Sequence, residues 1–315
     1  MKESSKLKIK DPVIIIGCPR SGTSLLLTIL SMSPNLWSLY RETINIWSDF
    51  YTVSEKEFKD DLLTESDLTE EAKTFLLNEF HKHSLNSYYA GYLTREYYNN
   101  KKTILNPLVK TITQINLLYK NTFLNKYRLV EKSPKSCFRI PFINKLFDNC
   151  KFIFLKRDGR SNINSLIEGW QLPGKYTRTE VTHIPLNIKG CNDPKWKFVL
   201  PPGRENYKDS SLEEVCAFQW TSSNRAALEG LKPIENSRKC VISYEKLIED
   251  PGTTIKNICN FIDIPFSKKL QKISTDLPMV NYISKPDMDK WKKNINLIEK
   301  TYSLIEPMMR ELEYW

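Results

Sequence analysis

After a charged leading segment the chain turns abruptly apolar. Val13 to Ile16 is an unbroken β-branched run that stops at Gly17. A short apolar run closed by a turn residue predicts a strand buried on both faces of a parallel sheet. Cys18 to Gly22 reads as a loop. From Thr23 to about Met32, Leu25, Leu26, Ile29 and Leu30 recur at helical spacing until Pro34 ends the pattern. The region from about Ser54 to Lys126 is helical and amphipathic in pattern, with clustered Tyr and Leu. Tyr127 to Val130 predicts a short strand, Phe138 to Phe147 an amphipathic helix, and Lys151 to Leu155 a strong strand. Ser161 onward reads as helix, Lys239 to Tyr244 as a third strong strand, and Ile255 to Ile262 as the helix after it.

Strands alternating with helices predict an α/β fold: a P-loop-like parallel β-sheet flanked by helices. The chain reads as a single domain over residues 1–315, with a helical substrate-side region at about 51–126. The stretch from Leu172 to Lys208 breaks the rhythm with Pro173, Gly174, Pro185, Gly190, Pro194, Pro201, Pro202 and Gly203. It reads as an inserted loop or lid. A disordered linker is the alternative, but Trp196, Phe198 and Tyr207 favour a segment that packs on something. No internal repeat stands out.

Composition narrows the picture only a little. Apolar residues make up 40% of the chain and charged residues 27%, an ordinary globular mix. The formal net charge of +10 suits an anionic partner, but the lysines are spread along the chain. No nucleic-acid module is recognisable, so none is expected as a partner. Seven cysteines without a CxxC pair, and only three histidines (His81, His83 and His183), give no metal spacing and point to a reduced, cytoplasmic chain. The N-terminal segment lacks the apolar core of a signal peptide, and Asn-x-Ser/Thr sequons are absent. No apolar stretch is long enough to predict a membrane span.

Two constellations carry chemistry. The first is Gly17-Cys18-Pro19-Arg20-Ser21-Gly22-Thr23-Ser24, between a strand and a helix, the context that a phosphate loop requires. Backbone N–H groups at a helix N-terminus favour an anion, Gly22 permits close approach, and Thr23 and Ser24 add hydroxyls. Thr23 stands where a nucleoside-triphosphate loop has its lysine, which argues against an ATPase or a kinase. Arg20 brings a cation into the loop instead. The second is Lys156-Arg157-Asp158-Gly159-Arg160 at the end of the Lys151 strand, with Ser165 in the following helix. Ligands of open parallel sheets sit at the C-terminal ends of strands. The two constellations are therefore expected to share a crevice, suited to a nucleotide with phosphates at both its 5′ and 3′ positions. Read alone, the second could be an Arg–Asp pair capping a strand.

Together these residues resemble the two donor-binding motifs of the sulfotransferase family, which uses 3′-phosphoadenosine 5′-phosphosulfate (PAPS). The chain is most similar to the tyrosylprotein sulfotransferases and their bacterial relatives. Glu131-Lys132-Ser133-Pro134, Tyr244-Glu245-Lys246-Leu247 with Pro251, and Lys285-Pro286 with Lys290-Trp291 fit the same pattern, so the resemblance runs from Ile14 to the C-terminus. It implies that Arg20, Ser21, Gly22, Thr23 and Ser24 hold the 5′-phosphosulfate, and that Arg157 and Ser165 hold the 3′-phosphate. Tyr244 would lie near the nucleotide and Lys285 in a C-terminal segment closing over it. Arg20 and Lys132 would address the sulfuryl and bridging oxygens. Glu42, in Tyr40-Arg41-Glu42-Thr43, would be the base that takes the proton of a hydroxyl acceptor; Arg41 departs from the tyrosylprotein branch, which has an acid there. Glu42 could instead be a surface carboxylate paired with Arg41, and His183 is an outside candidate for the base. The resemblance requires no metal, since arginine and lysine can neutralise the donor. A peptide tyrosine, a sugar, a lipid or a small metabolite could supply the hydroxyl. A small-metabolite kinase and a non-catalytic binder of anionic ligands on the same fold are the competing readings.

Overall fold

The computed structural model describes residues 9–38, 46–47, 50, 60–80, 128–147, 149–178, 186–193, 195–281, 283 and 288–315. Its centre is a five-stranded, wholly parallel sheet: β1 (Val13–Ile16), β2 (Trp37–Ser38), β3 (Leu129–Lys132), β4 (Lys151–Lys156) and β5 (Lys239–Ser243), in the order β2-β3-β1-β4-β5. The register pairs Ile15 with Lys132, Ile16 with Phe154 and Lys156 with Ser243.

Strand alternation divides the sheet between two apolar layers. Ile14, Ile16, Leu129, Phe152 and Phe154 face one core, and Val13, Ile15, Val130, Ile153 and Leu155 face the other. Both faces are covered, so the strands read as continuous apolar runs. The second face is covered by α1 (Thr23–Leu30), α6 (Pro251–Phe261) and α7 (Lys268–Thr275). The larger core holds α2 (Ile140–Leu146), α3 (Gly159–Trp170), α4 (Leu212–Leu231) and the C-terminal α8 (Ile295–Glu299) and α9 (Tyr302–Glu311). The short α5 (Tyr244–Glu249) follows β5 directly.

The expected strands and helices recur with shifted edges. The strand expected at Tyr127 to Val130 runs from Leu129 through Lys132, because Glu131 and Lys132 are buried although their charges read as the start of a loop. The helix expected from Phe138 begins at Ile140, after a 3-10 turn over Pro134–Phe138. Tyr244 opens a helix instead of closing a strand, since the Ser243 hydroxyl accepts from the Lys246 N–H and caps it. Most of the helical region expected between Ser54 and Lys126 lies outside the described residues. Within it, residues 60–64 are irregular and residues 70–80 are helical.

The segment after α3 packs instead of trailing. Thr177 bridges Lys197 antiparallel, and Trp196 is buried edge-on to Trp170. Gln219 of α4 donates to the carbonyls of Lys197 and Val199 and accepts from the Trp170 indole.

A buried carboxylate ties this insert to the rest. Asp61 accepts two bonds from Arg178, at 2.8 and 3.1 Å, and one from the Leu200 N–H. Lys135 and Arg139 lie 3.7 and 3.6 Å away. Burial alone would raise its pKa, but Arg178, Lys135 and Arg139 outweigh that and hold it well below the ordinary carboxylate value. Removing one partner of a buried ionic cluster leaves the others uncompensated, so Asp61→Asn should cost about 3–5 kcal/mol, read from urea unfolding at neutral pH. A depressed carboxylate stabilises the fold above its unfolded pKa. The gap between the two proteins should therefore hold down to about pH 4 and narrow only below it, as Asp61 takes up its proton.

Candidate functional site

Four adjacent strands deliver the site. The loop Gly17–Gly22 leaves β1, Lys132 ends β3, Arg157 follows β4, and Tyr244 follows β5. All stand at the C-terminal edge of the parallel sheet, where such folds bind ligands.

The loop is a tight turn closed by the Ser21 N–H donating to the Cys18 carbonyl at 3.1 Å. Arg20 and Gly22 both take positive φ, 70° and 99°. Glycine adopts this region freely, whereas an arginine there is held by its surroundings at a cost of about 1–3 kcal/mol. The next residue, Thr23, starts α1, so the turn presents the N–H groups of the first helical turn. The side of the loop is fixed by α3, whose buried Asn162 donates to the Pro19 carbonyl at 2.8 Å.

Arg157 turns toward this loop and donates to the Arg20 carbonyl at 2.8 Å. Its guanidinium lies over the Tyr244 ring, 4.5 Å from the centroid. The neighbouring cations turn elsewhere. Lys156 donates to the Leu312 carbonyl and pairs with Glu313, while Arg160 pairs with Asp158 and lies over Trp291. The cationic cluster expected from Lys156 to Arg160 thus contributes a single residue, Arg157, to the crevice. Burial lowers the Arg157 pKa, offset in part by Tyr244 and Glu245. An arginine remains charged under such a shift. Among the described residues the Arg157 Nε and the buried Ser21 hydroxyl have no hydrogen-bond partner. Such orphaned polar groups beside a phosphate-type loop fit an anionic ligand.

Arg20 reaches sideways across α3. Its Nε donates to Ser165 Oγ at 3.3 Å, and Nη1 donates to the Asn281 carbonyl at 2.8 Å and to the Tyr176 hydroxyl at 3.4 Å. Residues 288–294 run along the same helix: Ser161 Oγ donates to the Met288 carbonyl, Lys290 pairs with Glu168, and Asn294 donates to Asn164.

The expected residues Arg20, Ser21, Gly22, Thr23, Ser24, Arg157, Ser165 and Tyr244 therefore gather at one edge, and Lys132 ends the strand beside the loop. Glu42, His183 and Lys285 lie outside the described residues. Three participants escape sequence reasoning, Asn162, Tyr176 and Asn281, while Glu245, part of the Tyr244-Glu245-Lys246-Leu247 motif, gains a role only from the structure. Glu245 accepts from the Asp158 N–H and from Tyr314 Oη, which ties the base of Arg157 to the C-terminal segment. A polar residue on the buried side of an otherwise amphipathic helix was the one available signal, and it applies to Asn162 alone.

The sequence profile of the sulfotransferase family matches residues 12–187, from β1 through the site loops into the insert. The chain belongs to the sulfotransferase family. Among curated relatives, it is 21% identical over 202 residues to protein-tyrosine sulfotransferase A of Caenorhabditis elegans, covering 59% of this chain and 45% of that protein. It is 23% identical over 207 residues to protein-tyrosine sulfotransferase 1 of Danio rerio, covering 59% and 48%. The chain thus spans less than half the length of those relatives. A solved sulfotransferase domain from the curacin biosynthetic pathway shares the fold, with a TM-score of 0.51 and 18% identity over 98% of this chain and 99% of that one.

Gly22 has a second constraint besides its φ. A Cβ there would come within 2.4 Å of Tyr244 Cδ2. Gly22→Ala should therefore destabilise the fold by roughly 1–3 kcal/mol, seen as a lowered urea midpoint. An unchanged midpoint would mean that the Tyr244 ring moves aside freely.

Proposed function

We propose that this chain transfers the sulfuryl group of PAPS to a hydroxyl acceptor. The observation that carries the reading is Arg157, a cation at the end of β4 that faces a phosphate-type loop from which the triphosphate lysine is missing. Two separated anion-binding points suit a nucleotide phosphorylated at both ends. In this reading the loop N–H groups, Arg20, Ser21, Thr23 and Ser24 hold the 5′-phosphosulfate, while Arg157 and Ser165 hold the 3′-phosphate. Tyr244 flanks the nucleotide, and Lys285 belongs to the segment that covers it.

The transfer needs a proton removed from the acceptor and charge stabilised on the oxygens around sulfur. Glu42 is the base, and Arg20 and Lys132 are the cations. A peptide tyrosine is one acceptor that the relatives' names support; sugar, lipid and small-metabolite hydroxyls fit the same chemistry. The reading also has the protein work in the cytoplasm, supported by seven cysteines that are all free.

Calorimetry with 3′,5′-adenosine bisphosphate, AMP and ATP tests the donor site. The bisphosphate should bind about 10–100-fold more tightly than AMP, the range of a charged hydrogen-bonded contact, and Arg157→Ala should erase the difference. A preference for ATP with magnesium would overturn the reading. Glu42→Ala should lower turnover by about 10²–10⁴-fold, the usual contribution of a general base, with bisphosphate affinity intact. Unchanged turnover would remove Glu42 from the base role.

A further inference from the structure

Among the described residues eight non-glycine residues take positive φ, and four of them are linked around one guanidinium. Arg20 itself (φ 70°) donates to Tyr176 (60°) and Asn281 (51°), and Phe198 (62°) stacks on Tyr176. The four come from three segments far apart in sequence: the phosphate loop, the two sides of the insert, and the stretch after α7. Bulky aromatic residues are rare in this backbone region, and strain of this kind persists only where the surroundings over-determine it.

The insert supplies that over-determination. Tyr176 stacks on Phe198 with ring centroids 4.6 Å apart and planes 20° apart. The Phe198 N–H donates to the Tyr176 carbonyl at 2.8 Å, beside the Thr177–Lys197 bridge. Phe198 is itself lodged against Gly169 of α3, where a Cβ would come within 2.4 Å of its ring. The buried Lys197 next to it pairs with Asp193 and donates to the Leu172 carbonyl. The aromatic pair is thus built onto α3, the helix that carries Ser165.

What this rigid assembly holds is the Tyr176 hydroxyl against Arg20 Nη1, at 3.4 Å, with the guanidinium carbon 5.8 Å from the ring centroid. A guanidinium offers five donors in a fixed fork. Ser165 takes Nε, and Asn281 and Tyr176 take Nη1, while Nη2 donates to no described residue. Among the described residues the fork is therefore oriented through Nε and Nη1 alone.

We propose that Tyr176 is a positioning residue for Arg20: its hydroxyl fixes the angle at which the guanidinium meets the donor, so the insert forms part of the donor site. This deepens the sulfuryl-transfer reading and rests on it. The Asn281 carbonyl completes the clamp from the C-terminal side, which leaves Tyr176 as the only side chain of the insert that addresses the loop cation among the described residues.

A double-mutant cycle on bisphosphate affinity tests the proposal, with wild type, Tyr176→Phe, Arg20→Ala and the double variant measured by calorimetry. Phenylalanine keeps the stacked ring and removes only the hydroxyl. If Tyr176 acts through Arg20, its loss should weaken binding about three- to tenfold in the wild-type background and less than about twofold when Arg20 is already alanine. Equal losses in both backgrounds, or no loss in either, would overturn the proposal while leaving the donor reading in place. A wild-type protein that binds the bisphosphate no better than AMP overturns the donor reading, and this inference with it.

Discussion

The bond from Arg157 to the Arg20 carbonyl joins two loops that the sequence separates widely, and the site depends on it. It fixes the turn after β1 against the end of β4, while the stack on Tyr244 brings in the end of β5. A carbonyl and an aromatic face hold a guanidinium in place without neutralising it, as a bonded carboxylate would. The crevice thus keeps a positive charge at its base, in partly desolvated surroundings where an anion gains most.

Charge is used differently around Asp61. Arg178, Lys135 and Arg139 gather around this carboxylate, and that cluster joins the insert to the irregular stretch 60–64 and to the turn after β3. Sequence alone cannot separate the two uses, because each is a basic residue near a turn. The separation follows from the carboxylate they share, contributed by a residue more than seventy positions away from the nearest of them.

The sheet was legible because its strands are buried on both sides and leave runs such as Val13–Ile16 and Phe152–Leu155. The turn between β1 and α1 was legible because its glycine, hydroxyl and arginine positions form a local pattern. Less could be seen where tertiary context decides. Glu131 and Lys132 continue β3 although their charges suggest its end. The longest described helix, α4, went unread although Ser211 and Glu214 form a capping box at its start, because its buried face mixes Gln219, Ser223 and Asn224 with its apolar residues. Tyr176 and Asn281 meet Arg20 only through folding, and nothing local to either residue announces it.

The position of β1 has a consequence for how the chain is made. It is the central strand of the sheet, yet it is synthesised first, and both of its neighbours come later by roughly 110 residues or more. At about 5–20 residues per second on the ribosome, its two edges stay unpaired for on the order of ten seconds. During that time an apolar β-branched segment with open hydrogen-bonding edges is available to any other nascent strand. Completion of the sheet therefore waits for the synthesis of β3 and β4, and chaperone holding of the exposed β1 segment until then would bear directly on the yield.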